Sequence, residues 1–132
     1  MKIFVYGTLK EGYGNHHLLD GAVRLPGLFV TCGKFDMYDG SFPIVAAGKG
    51  GRVVGEIYLV ADRKQVSRLD RLEGHPQWYV RGPYSFTGLN DDMSPGHTLH
   101  AQMYVMPLAR VDAKNRQLVK TDRHGLLEWK RQ

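Results

Sequence analysis

Lys2-Ile3-Phe4-Val5-Tyr6-Gly7-Thr8-Leu9-Lys10 is the stretch on which the reading of this chain turns. Its first four residues are rich in β-formers, which predicts a short strand that stops where Gly7 supplies a turn. Glycine carries no Cβ, so N–H groups beside Gly7 can lie open to a ligand, and such a concavity attracts carboxylates or a developing oxyanion. Tyr6-Gly7-Thr8-Leu9 is therefore a candidate anion cradle. Taken alone, the tetrapeptide also fits an ordinary strand-ending turn.

The composition around this stretch bounds the fold. A chain of 132 residues makes one domain, able to bury about two thirds of its unfolded surface without staples. Sixteen glycines and six prolines imply many turns and short strands, hence an α+β class that is mostly β. Cys32 is the single cysteine, which excludes an intrachain disulfide and a cysteine-based metal site and makes a reducing, cytoplasmic location the expectation. The apolar residues before Gly7 fall short of a signal-peptide core, and no apolar span has the length a membrane helix needs. The net charge of +5 gathers at the end of the chain. Residues 107–132 hold seven Lys/Arg against Asp112, Asp122 and Glu128, a local balance of +4. That pattern fits a solvated basic segment; as a nucleic-acid footprint it lacks the accompanying aromatics.

Further elements follow in order. Asn15 and Gly21 bracket a short predicted helix whose positive end would reinforce the cradle. His16 and His17, about 100° apart on such a helix, cannot easily share an ion, so no metal is expected. Residues 22–35 predict two strand pieces separated by a bend, and 41–47 a further strand. Val53 to Val60 has the strongest strand character, with Gly55 allowing bending or close approach of another backbone. Gln77 to Phe86 and His100 to Met106 complete the strands around a polar loop at 88–96. A short helical turn is predicted near Leu126 to Trp129.

The clearest helix runs from Arg63 to about Glu73, with Asp62 as its cap and Gly74 as its stop. Val66, Leu69 and Leu72 span a stripe about 120° wide, and Glu73 falls inside it, between Val66 and Leu69 in angle. A carboxylate turned toward a core is paired, hydrogen-bonded or used, and desolvation moves its pKa toward the range of a general acid/base. The alternative is a frayed last turn that swings Glu73 into water. His75, beside it, is expected as an exposed loop residue.

Two motifs now line up: Val5-Tyr6-Gly7-Thr8-Leu9-Lys10 with Asn15-His16, and Leu69-Asp70-Arg71-Leu72-Glu73-Gly74-His75-Pro76-Gln77-Trp78-Tyr79-Val80-Arg81. Together they resemble the γ-glutamylcyclotransferase-like family, which includes the γ-glutamylamine cyclotransferases and the plant avirulence-induced gene proteins. The resemblance runs from Lys2 to about Met106, with Gly55-Glu56-Ile57-Tyr58 matching the strand before the helix; it leaves residues 107–132 outside. It implies a small closed or partly closed β-barrel with flanking short helices. It further implies that Tyr6, Gly7, Thr8 and Leu9 hold the γ-glutamyl head or the 5-oxoproline product largely through backbone groups, that Glu73 is the acid/base, and that Tyr104 matches a pocket tyrosine. The connection through His75 and Pro76 looks nearer to the γ-glutamylamine branch.

The function implied is cyclisation of the γ-glutamyl group of small γ-glutamyl amides or γ-glutamylamines to 5-oxoproline, with no cofactor. Two alternatives stand beside it: a ligand-binding or regulatory member that keeps the fold without turnover, and a basic β-barrel that binds nucleic acid.

Overall fold

The computed structural model describes residues 1–130. In chain order its strands are β1 (Lys2–Val5), β2 (Val23–Arg24), β3 (Leu28–Thr31), β4 (Phe35–Tyr38), β5 (Ile44–Ala47), β6 (Arg52–Leu59), β7 (Val80–Leu89), β8 (Pro95–Val105) and β9 (Leu126–Leu127), and helix α1 (Arg63–Glu73) lies between β6 and β7. β1 runs antiparallel to β6, with Val5 opposite Glu56, and parallel to β8, with Phe4 opposite Met103. β8 continues to β7, β7 to β3, and β3 returns to β6, so five strands close a barrel. Closure removes the free edges that short strands would otherwise expose.

The continuous apolar run of β1 reflects burial on both of its faces. Phe4 packs with Ile57, Phe86 and Met103 in one core cluster, and its ring stacks on Phe86 at 4.4 Å between centroids. Ile3 and Val5, pointing to the opposite face, join Tyr58, Val60, Tyr104 and Leu69 of α1 in the other cluster. Gly55 allows the close approach expected of it. A Cβ there would stand 2.3 Å from the Val5 carbonyl oxygen and 2.7 Å from the Phe4 ring.

α1 is capped at both ends. Asp62 accepts from the Lys64 N–H at 2.9 Å, and Gly74, with φ of +66°, returns its N–H to the carbonyls of Arg71 and Asp70. Its buried face differs from the predicted stripe. Leu69 is fully buried, but Gln65 is buried as well, because its amide donates to the carbonyls of Leu18 and Asp20, while Leu72 is 37% exposed.

Three expectations are corrected. The stretch from Asn15 to Gly21 forms only a 3-10 turn at His16–Leu19, and Asn15 makes no side-chain cap, so it supplies no helix dipole to the cradle. β4 pairs with β5 in a separate two-stranded sheet, a hairpin the sequence did not disclose. The predicted helical turn at the end is instead β9, which lies parallel to β6 with Leu126 opposite Arg52. The basic segment is thus not simply solvated: Leu126, Leu127 and Trp129 are buried in the cores. Its last two residues, Arg131 and Gln132, lie outside the described residues.

Candidate active site

The end of β1 delivers Tyr6-Gly7-Thr8-Leu9 to one end of the barrel. Gly7 is required by proximity, since a Cβ there would lie 2.7 Å from Cγ of Pro43. The Gly7 carbonyl accepts the Lys10 N–H at 3.1 Å, which tightens the turn. Asn15 latches it from outside, its N–H donating to the Thr8 carbonyl and its side-chain amide to Thr8 Oγ1, both at 3.0 Å. The N–H groups of Gly7, Thr8 and Leu9 meet no acceptor among the described residues. The loop is therefore a strand-ending turn that also leaves backbone donors open.

Glu73 comes to this loop from the other side of the sequence. The left-handed Gly74 cap and the Tyr79 N–H donating to the Glu73 carbonyl hold the last turn of α1 in place, so the end is not frayed. Glu73 lines a cavity of about 360 Å³ together with Tyr6, Gly7, Thr8 and Leu9, Asn15, Pro43 and Tyr104. Among the described residues no hydrogen-bond donor engages its carboxylate. Burial alone pushes its pKa up to about 7, the range in which a carboxyl both takes and gives a proton near neutrality.

The tyrosines around it are fixed as protonated phenols. Tyr6 donates to the Tyr104 carbonyl at 2.7 Å, Tyr79 to the Pro43 carbonyl at 2.8 Å, and Tyr104 to Asp70 Oδ1 at 2.6 Å. Burial raises the pKa of all three, and the charge of Glu73 adds to it. The cavity is thus lined both by a carboxyl whose pKa burial raises to about 7 and by the loop whose backbone donors are open.

The model of the family described as gamma-glutamyl cyclotransferase, AIG2-like matches residues 3–130. The chain belongs to this family. The match takes in most of the basic segment that the two motifs leave outside the resemblance, in keeping with the packing of β9. Gamma-glutamylaminecyclotransferase C of Danio rerio is 33% identical over 114 residues, which are 77% of this chain and 72% of that protein. The gamma-glutamylaminecyclotransferase of Rattus norvegicus is 41% identical over 92 residues, 60% of this chain and 58% of that protein. The crystal structure of an AIG2-like protein from Mus musculus shares the fold with a TM-score of 0.74 at 30% identity, covering 99% of this chain and 96% of that one. This gamma-glutamyl cyclotransferase, AIG2-like chain is accordingly a γ-glutamylcyclotransferase-like enzyme. Among its described residues no helix is long and apolar enough to cross a membrane.

In this AIG2-like chain the cavity is braced by residues that motif reading passes over. Asp70, one turn before Glu73, accepts from Tyr104 and takes Arg81 in a fork, Nε at 2.8 Å and Nη2 at 3.2 Å. His75 is not a free loop residue, since its Nδ1 accepts the Arg81 N–H at 3.0 Å. Burial pushes the Asp70 carboxyl up, but the hydrogen bonds of Arg81 and Tyr104 and the Arg81 charge outweigh it and hold the pKa below its ordinary value. A lowered folded-state pKa stabilises the fold above the unfolded value, and that contribution is lost as pH falls through the folded value. Asp70→Asn is expected to cost about 1–3 kcal/mol at pH 7, with the gap from the native protein narrowing only as pH falls below the ordinary carboxylate range. Denaturant unfolding of both proteins as a function of pH checks it.

The opposite wall, Ser41, Phe42 and Pro43, carried no catalytic signal in sequence, where it read as the start of a strand. The latch of Asn15 was likewise obscured, because Asn is also a common helix cap.

Proposed function

We propose that this enzyme converts small γ-glutamyl amides or γ-glutamylamines to 5-oxoproline and the free amine, with Glu73 as general acid/base. The observation that carries the reading is the desolvated Glu73 carboxylate, without a donor among the described residues, lining one cavity with Gly7, Thr8 and Leu9, whose N–H groups meet no acceptor among those residues. The substrate supplies its own nucleophile. Its α-amine nitrogen attacks its γ-carbonyl carbon, a new C–N bond closes a five-membered ring, and the original amide C–N bond breaks. The α nitrogen gives up two protons on its way from ammonium to lactam N–H, one before attack and one after the ring closes, and the departing nitrogen gains two to leave as an ammonium. Glu73 takes each proton and hands it across, so protons balance over the cycle.

The energetics favour this division of labour. Holding amine and carbonyl in attack geometry supplies up to about 7–11 kcal/mol of the barrier, which is the part the Tyr6-to-Leu9 loop plays by gripping the glutamyl head. Donors aimed at the developing oxyanion add electrostatic stabilisation, since the cavity wall keeps them from reorganising. Tyr104 acts as a wall of the pocket, its hydroxyl being committed to Asp70. The free, unpaired Cys32 fits work in a reducing, cytoplasmic compartment.

The reading is tested by 5-oxoproline release from γ-glutamyl-ε-lysine and from γ-glutamyl-alanine. Release from at least one is expected without added cofactor. If the protein bound both substrates and released 5-oxoproline from neither, the ligand-binding alternative would replace turnover.

A further inference from the structure

The cavity that Glu73 lines also has an apolar wall that the proposed grip on the glutamyl head does not use. Phe42, Leu72 and Trp78 line it. Trp78 is 42% exposed and Leu72 37%, although both are large apolar residues beside a polar site. They form a built surface. Trp78 meets Phe42 edge to face at 5.4 Å between ring centroids. Its N–H is anchored on the Gly74 carbonyl at 2.7 Å, and its carbonyl accepts from Arg110 at 2.8 Å.

A fixed charge lies behind this wall. The Arg116 guanidinium sits over the Phe42 ring, 4.9 Å from its centroid, and its Nη1 donates to the carbonyls of Asp39 and Phe42. The charge reaches the cavity: it draws the Tyr79 phenol down against burial and against Glu73. Exposed apolar side chains clustered at the mouth of a pocket mark a surface that a ligand covers. The same mouth, with Arg116 behind it, favours an anion over a cation.

On the reading that the site cyclises γ-glutamyl groups, the geometry points to the wall of Phe42, Leu72 and Trp78, backed by Arg116, as the subsite of the departing amine. It selects an α-amino acid with a large apolar or aromatic side chain and a free carboxylate. With the glutamyl head on the Tyr6-to-Leu9 loop and its γ-carbonyl beside Glu73, the departing amine extends toward the residues that follow Glu73 in the chain. Trp78 and Leu72 cover its side chain, and its carboxylate lies within the field of Arg116.

The test compares kcat/KM for γ-glutamyl-phenylalanine, γ-glutamyl-alanine and γ-glutamylphenethylamine, the last having the ring without the carboxylate. The native enzyme is expected to prefer γ-glutamyl-phenylalanine over γ-glutamyl-alanine by about 10-fold to 100-fold, the range that covering an aromatic side chain provides. Trp78→Ala is expected to bring that ratio to within about 3-fold. Arg116→Gln is expected to remove a preference of about 3-fold to 10-fold for γ-glutamyl-phenylalanine over γ-glutamylphenethylamine. Each ratio is taken within one preparation, so partial unfolding of a variant cancels. Release from γ-glutamyl-alanine with no native preference for phenylalanine, or a preference that survives Trp78→Ala, would overturn the subsite and leave the cyclisation standing. Absence of release from all three while γ-glutamyl-ε-lysine is still cyclised would overturn the subsite alone; absence of release from γ-glutamyl-ε-lysine as well would overturn the cyclisation, and the subsite with it.

Discussion

Glu73→Gln is expected to lower 5-oxoproline formation by about 10²–10⁴-fold, the usual contribution of a positioned acid/base. Glutamine keeps the shape of the side chain and its place at the capped end of α1 but cannot take the proton of the α-ammonium. The loss should fall on kcat, with KM little changed, because the proposed function assigns the grip on the glutamyl head to the backbone of Gly7, Thr8 and Leu9 rather than to this carboxylate. In the native enzyme kcat/KM should decline as pH falls through about 7, where Glu73 becomes protonated. Equal release by both proteins would move the acid/base role to another group.

The same shift has a stability consequence of opposite sign to that of Asp70. Burial raises the folded-state pKa of Glu73 to about 7, so its favourable contribution is complete below the unfolded value. That contribution is lost as pH rises through the folded value, because the ionised carboxylate is then held in a poorly solvated place. Glu73→Gln escapes this penalty. It should be more stable than the native protein at pH 8 by about 1–3 kcal/mol, a figure reduced for the opening of the cavity to solvent, and should lose that advantage near pH 5. Chemical denaturation at both pH values measures it. An inactive variant that is more stable where the native enzyme works is the signature of a residue kept for chemistry.

Trp129→Ala is expected to have the largest effect on stability, about 3–5 kcal/mol for loss of a buried Trp side chain. Trp129 is 2% exposed. It packs in the cluster of Phe4 and Phe86 and meets Tyr13 at 5.3 Å between centroids. Its Nε1 donates to Asp39 Oδ1 at 3.2 Å, and its carbonyl accepts the Lys10 ammonium at 2.6 Å. Lys10 is itself buried. Burial lowers its pKa, with Glu128 and Glu56 opposing, so displacing its acceptor adds the cost of an unpaired buried charge.

The two partners give Trp129 a reach into the site. Lys10 directly follows Leu9 of the loop, and Asp39 directly precedes the segment leading to Ser41 and Pro43 on the opposite wall. Trp129 ties both walls of the cavity together, so Trp129→Ala should raise KM about 10-fold even at temperatures where the variant remains folded. Trp129→Phe, which keeps an aromatic ring in the core but loses the Nε1 bond and part of the indole volume, should cost less than the alanine variant, about 1–3 kcal/mol. Unfolding curves and KM for the two variants separate the packing contribution from the positioning one.

Local chemistry determined much of this protein. The strand before Gly7, the strong β6, and α1 from Asp62 to Gly74 follow from β-formers, caps and a 3.6-residue period, all of which act within a few residues. Periodicity also placed Glu73 toward the interior, and the motifs around Tyr6 and Glu73 implied the barrel. Tertiary structure decided what those side chains face. Whether Glu73 meets water or a cavity depends on a loop that arrives from the other end of the helix's cluster, through β1 lying between β6 and β8. Tyr104 reaches Asp70, 34 residues away, and Trp129 holds Lys10 across 119 residues; no local pattern encodes contacts of that span. The basic end misled for the same reason. A two-residue strand has no period to detect, and its charges hide the Leu126, Leu127 and Trp129 side chains until β6 and the two loops of the site are in place to bury them.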